Sequence, residues 1–76
     1  MPPILLLPTD TVVRVFESFG WRSDRNRGSH IMLTKDGEIA TLAIPRRREL
    51  PRGTLRSLIR SSGITIDEFN ERFQKI

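Results

Sequence analysis

The only histidine of the chain, His30, ends the run Arg25-Asn26-Arg27-Gly28-Ser29-His30. Histidine is the side-chain type that can take up or release a proton at neutral pH, which makes this residue the candidate general base or acid. Neighbouring guanidinium groups would bind phosphate and neutralise the charge that builds on its oxygens. This combination fits RNA cleavage, in which the base takes a ribose 2′-hydroxyl proton and the freed oxygen attacks the adjacent phosphorus. The alternative is an exposed histidine on a strand face, or one that only hydrogen-bonds its own turn.

The candidate phosphate-binding residues share a basic, hydroxyl or glycine character. A glycine lets an RNA backbone approach closely, a hydroxyl can donate to phosphate, and a helix N-terminus favours an anion. Each candidate also has an ordinary alternative as a turn, loop or solvated helix residue. The set comprises Arg25, Arg27, Gly28, Ser29, Lys35, Arg46, Arg47, Arg48, Arg52, Thr54 and Arg56.

The chain lacks a second histidine that could protonate the leaving oxygen. Lys35, a water polarised by arginine, or bulk solvent would have to supply that proton. We therefore expect a slow enzyme.

The positive charge is concentrated in the middle of the chain. The net charge is +4, but residues 21–60 alone carry ten basic and four acidic side chains. Eleven of the thirteen basic residues are arginine, whose planar fork matches phosphate geometry. The distribution favours a nucleic-acid partner.

Length and composition exclude several other classes. The 76 residues form one domain, 1–76, with a thin core and little room for a deep pocket. The absence of cysteine excludes disulfides and thiolate metal sites, and we expect neither a metal nor a cofactor. No apolar run is long enough to span a membrane or form a signal peptide, so we expect a cytoplasmic protein.

The first half of the chain predicts a helix followed by a β-sheet. Residues 1–8, rich in proline, form an extended arm, and Thr9 is the expected N-cap of a helix over 10–19. Residues 21–27 predict a strand, with a turn or bulge at Arg27-Gly28. The turn dipeptide Asp36-Gly37 then predicts a hairpin of residues 29–34 and 38–44. Alternation places His30 on the open face, opposite the apolar side chains Ile31, Leu33, Ala40, Leu42 and Ile44.

The second half predicts two helices. Pro45 ends the sheet, and Pro51 begins a helix with the apolar stripe Leu55, Leu58 and Ile59, which closes at Gly63. Thr65 and Glu68 form a capping-box pattern for a C-terminal helix within 65–76, whose expected buried side is Ile66, Phe69, Phe73 and Ile76. The fold class is α+β, with helices on one face of a three-stranded antiparallel sheet in the order α-β-β-β-α-α.

A helix-turn-helix that binds DNA is a further alternative for the last two helices. Against it, the would-be recognition helix carries Asp67, Glu68 and Glu71, which suit phosphates poorly.

Several motifs together resemble the HicA-type messenger-RNA interferases, the toxin half of HicA–HicB pairs. The resemblance covers nearly the whole chain, and its most specific part is the tandem of the last two motifs. The motifs are Phe19-Gly20-Trp21, Arg25 with Gly28-Ser29-His30, Ile44-Pro45, and Leu50-Pro51-Arg52-Gly53-Thr54-Leu55-Arg56-Ser57-Leu58.

The resemblance implies a fold similar to a double-stranded-RNA-binding domain and metal-independent cleavage of mRNA that arrests growth. It assigns the essential role to His30, with Gly28 and Ser29 beside it. Many similar proteins carry further histidines where this chain has Ile31 and Arg46; if such a second histidine helps catalysis, this chain is weakened or uses Arg46 for charge alone. A HicB-like antitoxin that covers the basic face is implied, and DNA would be contacted only through it. A non-catalytic double-stranded-RNA-binding module remains the alternative.

Overall fold

A computed structural model describes residues 6–76, and of residues 24–27 it describes the backbone alone. Three helices and three strands follow one another as α1 (Thr9–Ser18), β1 (Arg22–Arg27), β2 (His30–Thr34), β3 (Leu42–Pro45), α2 (Arg52–Ser62) and α3 (Ile66–Lys75). This order and the α+β class are as the sequence predicts.

The three strands form one antiparallel sheet in the order β1-β2-β3. One face of β2 and β3 is apolar and buried, and it carries Ile31, Leu33, Leu42 and Ile44. His30 alternates with these side chains and is exposed on the opposite face. The predicted placement of the histidine on the open side of the sheet is confirmed.

Helices α1 and α2 pack against β3 and cover the apolar face. The core side chains of α1 are Val12, Val15 and Phe16, and those of α2 are Leu55, Leu58 and Ile59. Their spacing of three and four residues places each set on one side of its helix. Ahead of α1, the Leu50 amide donates to the Leu7 carbonyl at 2.7 Å, which ties the arm to the segment before α2.

Thr9 is not the N-cap of α1, which is Pro8. The Thr9 side chain is 3% exposed, and its hydroxyl donates to the Pro45 carbonyl at 2.6 Å. Thr9 Oγ1 also accepts from the Arg47 amide at 2.8 Å. A hydroxyl turned into the helix end could not make these long-range bonds, so tertiary contacts outweigh the local capping preference.

The β2–β3 connection is longer than predicted, because β3 begins at Leu42 and not at residue 38. Leu33 pairs with Leu42, and Ile31 pairs with Ile44. A two-residue hairpin at Asp36-Gly37 would instead have paired Leu33 with Ala40. The observed pairing is shifted by two residues from that register. Because side chains alternate along a strand, each stays on its predicted face of the sheet, but Ile44 is buried opposite Ile31 whereas Ala40 is exposed.

The turn at the start of this connection still forms, because the Glu38 amide donates to the Lys35 carbonyl at 3.0 Å and Gly37 has φ +85°. The remaining residues leave the ladder, and Ile39 is fully exposed. In β1 the register shift lies between Ser23 and Arg25, whereas the Arg27-Gly28 position is an ordinary turn.

Helix α3 begins with the predicted capping box. The Glu68 amide donates to Thr65 Oγ1 at 3.0 Å, and the Thr65 amide donates to Glu68 Oε1 at 2.8 Å. Phe69 is fully buried, and its ring lies 5.5 Å from that of Phe16 of α1, whereas Ile66 and Phe73 are half-buried. The expectation that Ile76 is buried is wrong: it is 50% exposed, because the helix has already ended at Lys75.

Candidate active site

The turn between β1 and β2 presents His30 at one end of the sheet. Arg27 pairs with His30 across the ladder, so Gly28 and Ser29 are the two turn residues. Gly28 has φ +37°, a left-handed conformation that favours glycine. Ser29 and His30 are both exposed, and Ser29 Oγ lies 2.8 Å from His30 Nδ1. The imidazole is therefore accessible and its Nδ1 is engaged.

Arg46, which directly follows β3, binds this turn through both its amide and its side chain. In the ladder Pro45 lies opposite His30, and the Arg46 amide donates to the Ser29 carbonyl at 2.9 Å. The Arg46 side chain folds back, and its Nε donates to the Gly28 carbonyl at 2.9 Å. A guanidinium has five N–H donors, so this contact leaves the four on its terminal nitrogens for another ligand. A charged group is thus held at the turn that carries the imidazole.

The segment that carries Arg46 is anchored to α1 by Thr9. Besides its two side-chain bonds, Thr9 donates its amide to the Arg47 carbonyl at 3.0 Å. An open groove of about 370 Å³ lies here, and its lining comprises Pro8, Thr9, Asp10, Arg46, Arg47 and Arg48. The arginine triplet gives this groove a net positive charge, which the Asp10 carboxylate partly offsets.

The candidates on α2 lie apart from the histidine. Arg52 and Arg56 are exposed and Thr54 is half-buried. Helix α2 packs against β3 on the apolar face, and His30 is on the opposite face. These three residues are therefore a second basic region at most, outside the cluster formed by Gly28, Ser29, His30 and Arg46.

Lys35 is also distant from His30. It follows the last residue of β2, five positions beyond the histidine, which corresponds to about 16 Å along an extended strand. Of the three proton donors that the sequence leaves open, this placement favours water over the lysine. The side chains of Arg25 and Arg27, which the sequence also nominates, lie outside the described residues.

The sequence does not specify two contacts that organise the site. The first is the bond between Ser29 and His30 Nδ1, and the second is the return of the Arg46 side chain to Gly28. A signal for the second exists in the sequence: Arg46 directly follows the strand antiparallel to the histidine strand. For the first, the sequence offers a histidine that bonds its own turn only as the alternative to a catalytic role, and it does not identify Ser29 as the partner.

Among the side chains that the structure describes, no three histidine, cysteine, aspartate or glutamate residues come together as metal ligands. Within residues 6–76, no helix has the length and apolar character needed to cross a membrane.

The fold and the site define a small α+β protein whose single histidine lies at one end of the sheet, next to a turn whose carbonyls are bound by an arginine. A family model described as HicA toxin of bacterial toxin-antitoxin matches residues 9–64. Because the match covers well over half of the 76 residues, the chain belongs to the HicA toxin family and thus to the toxins of toxin–antitoxin systems. A comparison with curated proteins gives no match.

The limits of this match coincide with structural elements. It begins at Thr9, the first residue of α1, and ends at Ile64, between α2 and α3. The match therefore covers α1 to α2 as one α-β-β-β-α unit, and α3 lies outside the matched residues. This division disfavours the helix-turn-helix interpretation, in which α2 and α3 would form the functional pair.

Proposed function

We propose that this toxin is an endoribonuclease that cleaves messenger RNA with His30 as its general base, and so arrests growth. The observation that carries the proposal is the cluster of Ser29, His30 and Arg46 at the end of the sheet, in a chain of the HicA family. An accessible imidazole and a fixed guanidinium are the two groups that cleavage next to a 2′-hydroxyl requires.

In the proposed reaction, His30 Nε2 takes the proton of a ribose 2′-hydroxyl. The 2′-oxygen forms a bond to the adjacent phosphorus, and the bond from phosphorus to the 5′-oxygen of the next nucleotide breaks. The leaving oxygen takes its proton from water, and the products are a 2′,3′-cyclic phosphate and a free 5′-hydroxyl. General-base assistance of this kind contributes typically 10²–10⁴-fold.

The guanidinium of Arg46 would neutralise the negative charge of the pentacoordinate phosphorus species. Its bond to the Gly28 carbonyl holds it at the histidine turn before RNA arrives, so little ordering is needed during the reaction. Arg47 and Arg48, and Arg25 and Arg27 from the sequence, would bind flanking phosphates. Gly28 would allow the RNA backbone to approach the turn.

No step of this reaction is assigned to a metal ion, because a general base and fixed cations supply the proton transfer and the charge neutralisation. We therefore propose that cleavage is metal-independent. The proposed antitoxin is a HicB-like protein that covers the basic face and blocks access to His30, and any contact with DNA would occur through that partner.

The test is an RNA-cleavage assay of the purified protein with a chelator present. Wild type should cleave messenger RNA, whereas His30→Ala should lose at least about 100-fold in rate. RNA affinity should change little, because the arginines remain. Gln74→Ala, at an exposed position of α3, is the control and should cleave like wild type. Induced expression should arrest growth for wild type and for the control only.

The second candidate function is a non-catalytic module that binds double-stranded RNA with the same basic face. It is favoured by the α-β-β-β-α unit, which is the element order of double-stranded-RNA-binding domains. Such a module would bind RNA with or without His30 and would leave it intact. Growth arrest by both wild type and His30→Ala, with intact messenger RNA, would favour this RNA-binding module over the proposed endoribonuclease.

A further inference from the structure

The contact between Ser29 Oγ and His30 Nδ1, at 2.8 Å, can be made in two ways. A neutral imidazole carries one proton, on either Nδ1 or Nε2, and a hydroxyl can both donate and accept. If Ser29 donates, the imidazole proton is on Nε2, and this nitrogen cannot accept another. If Nδ1–H donates to Ser29, Nε2 has a free lone pair. Only the second arrangement permits His30 to act as a base through Nε2.

We propose that Ser29 is a positioning residue that selects the base-competent tautomer of His30 once its own hydroxyl donates to an RNA phosphate. The inference deepens the proposed function and rests on it. A hydroxyl has a single proton. When an anionic phosphate oxygen accepts that proton, the Ser29 oxygen is left to accept from Nδ1–H. RNA binding thereby leaves the Nε2 lone pair of His30 free to accept a proton.

The protons balance in this change. As the Ser29 hydroxyl turns toward the phosphate, the imidazole loses its Nε2 proton to water and gains one on Nδ1 from water. No net proton enters or leaves the protein. The Nδ1–H bond to Ser29 persists when Nε2 later accepts the 2′-hydroxyl proton, since the imidazolium carries a proton on both nitrogens.

The backbone around Ser29 is fixed well enough for this role. Its carbonyl accepts from the Arg46 amide at 2.9 Å, and the preceding Gly28 carbonyl accepts from Arg46 Nε at 2.9 Å. His30 itself is paired with Arg27 on one side and with Pro45 on the other. The hydroxyl and the ring are therefore held on adjacent, anchored positions, and the same Arg46 brings the positive charge that attracts a phosphate.

Nitrogen NMR can read the tautomer directly, because the chain has one histidine and its ring signals are unambiguous. The spectrum is recorded on the alkaline plateau of a pH series, where the ring signals no longer change with pH and the ring is therefore neutral. The probe is a saturating 2′-O-methyl oligoribonucleotide, which supplies phosphates but no reactive hydroxyl. Adding it to wild type should increase the Nδ1–H tautomer at least about threefold relative to Nε2–H.

Substitutions of Ser29 separate positioning from a structural effect. Ser29→Ala should show no such shift and should lower kcat about tenfold with little change in KM. Ser29→Thr, which keeps the hydroxyl, should restore both. Ser61→Ala, an exposed serine of α2, should behave as wild type.

Equal tautomer ratios in wild type and Ser29→Ala with the probe bound would overturn the inference, as would a bound wild type in the Nε2–H form. The NMR measurement involves no turnover. A wild type that shifts to Nδ1–H but cleaves no RNA would therefore support the tautomer selection and refute the proposed function.

Discussion

The Thr9 hydroxyl donates to the Pro45 carbonyl at 2.6 Å, and so joins the first turn of α1 to the last residue of β3. The same oxygen accepts from the Arg47 amide. The Thr9 hydroxyl therefore bonds one backbone group on each side of Arg46, the residue that hydrogen-bonds the turn before His30. One buried hydroxyl connects the helix layer to the candidate active site.

Removing this hydroxyl should destabilise the protein. Thr9→Val keeps the shape of the side chain but leaves the Pro45 carbonyl and the Arg47 amide without their partner. We expect a loss of about 1–3 kcal/mol in the free energy of unfolding, measured by urea denaturation. Thr9→Ser keeps both bonds and should lose less than about 1 kcal/mol. Equal stability of Thr9→Val and wild type would show that the two bonds contribute nothing.

The geometry of Arg46, and not only its charge, should matter for activity. Arg46→Lys keeps the positive charge but cannot donate to Gly28 through a planar fork while also offering two terminal nitrogens. We expect RNA cleavage about tenfold or more below wild type, with an unchanged unfolding midpoint. Arg14→Lys, at an exposed position of α1, is the matched control and should cleave like wild type. Full activity of Arg46→Lys would reduce the role of Arg46 to charge alone.

RNA binding should weaken steeply as salt rises, because each neutralised phosphate releases counterions. For single strands the slope of log affinity against log salt is about −0.7 per phosphate contact. Arg47→Gln and Arg48→Gln should each make the slope less steep by roughly that amount. The measurement is fluorescence anisotropy of a labelled, non-cleavable RNA over a salt series. Flat affinity would contradict a basic binding face.

Two glycines of the α2 region should respond oppositely to alanine. Gly63, the C-cap of α2, has φ +83°, where a Cβ is strained, so Gly63→Ala should cost about 1–2 kcal/mol. Gly53 lies inside α2, and a Cβ there would meet nothing within 4 Å. Gly53→Ala should therefore stabilise the protein by about 0.5–1 kcal/mol. Unfolding curves of both variants check the pair, and equal shifts would contradict it.

Arg72 should stabilise the packing of helix α3 against the end of α1. Arg72 Nη1 donates to the Ser18 carbonyl at 2.7 Å and to Ser18 Oγ at 3.1 Å, and the guanidinium carbon lies 4.2 Å from the Phe19 ring centre. Arg72→Met keeps the apolar stem and should cost about 1–2 kcal/mol in unfolding free energy. Lys75→Met removes only the exposed pair with Glu71 and should change stability by about 0.5 kcal/mol or less. A similar cost for both would contradict the assigned role of Arg72.

The sequence alone determined the order of elements, because that information is local. Period-3.6 stripes in α1 and α2, the strand alternation of Ile31 and Leu33, the turn glycines and the Thr65–Glu68 capping box each depend on residues a few positions apart. The same alternation placed His30 on the open face. The candidate base could therefore be identified from the sequence alone.

Only the tertiary structure decided which groups meet around that base. The pairing of Leu33 with Leu42 was set by burial of Ile44 against the whole core, which a local turn signal could not foresee. The Thr9 hydroxyl donates to the Pro45 carbonyl although the local sequence favours a helix cap, and Arg46 Nε donates to the Gly28 carbonyl in the turn between β1 and β2. Each of these contacts joins residues far apart in the chain. Their geometry exists only after the helices and strands have packed, because packing alone fixes the distances between them.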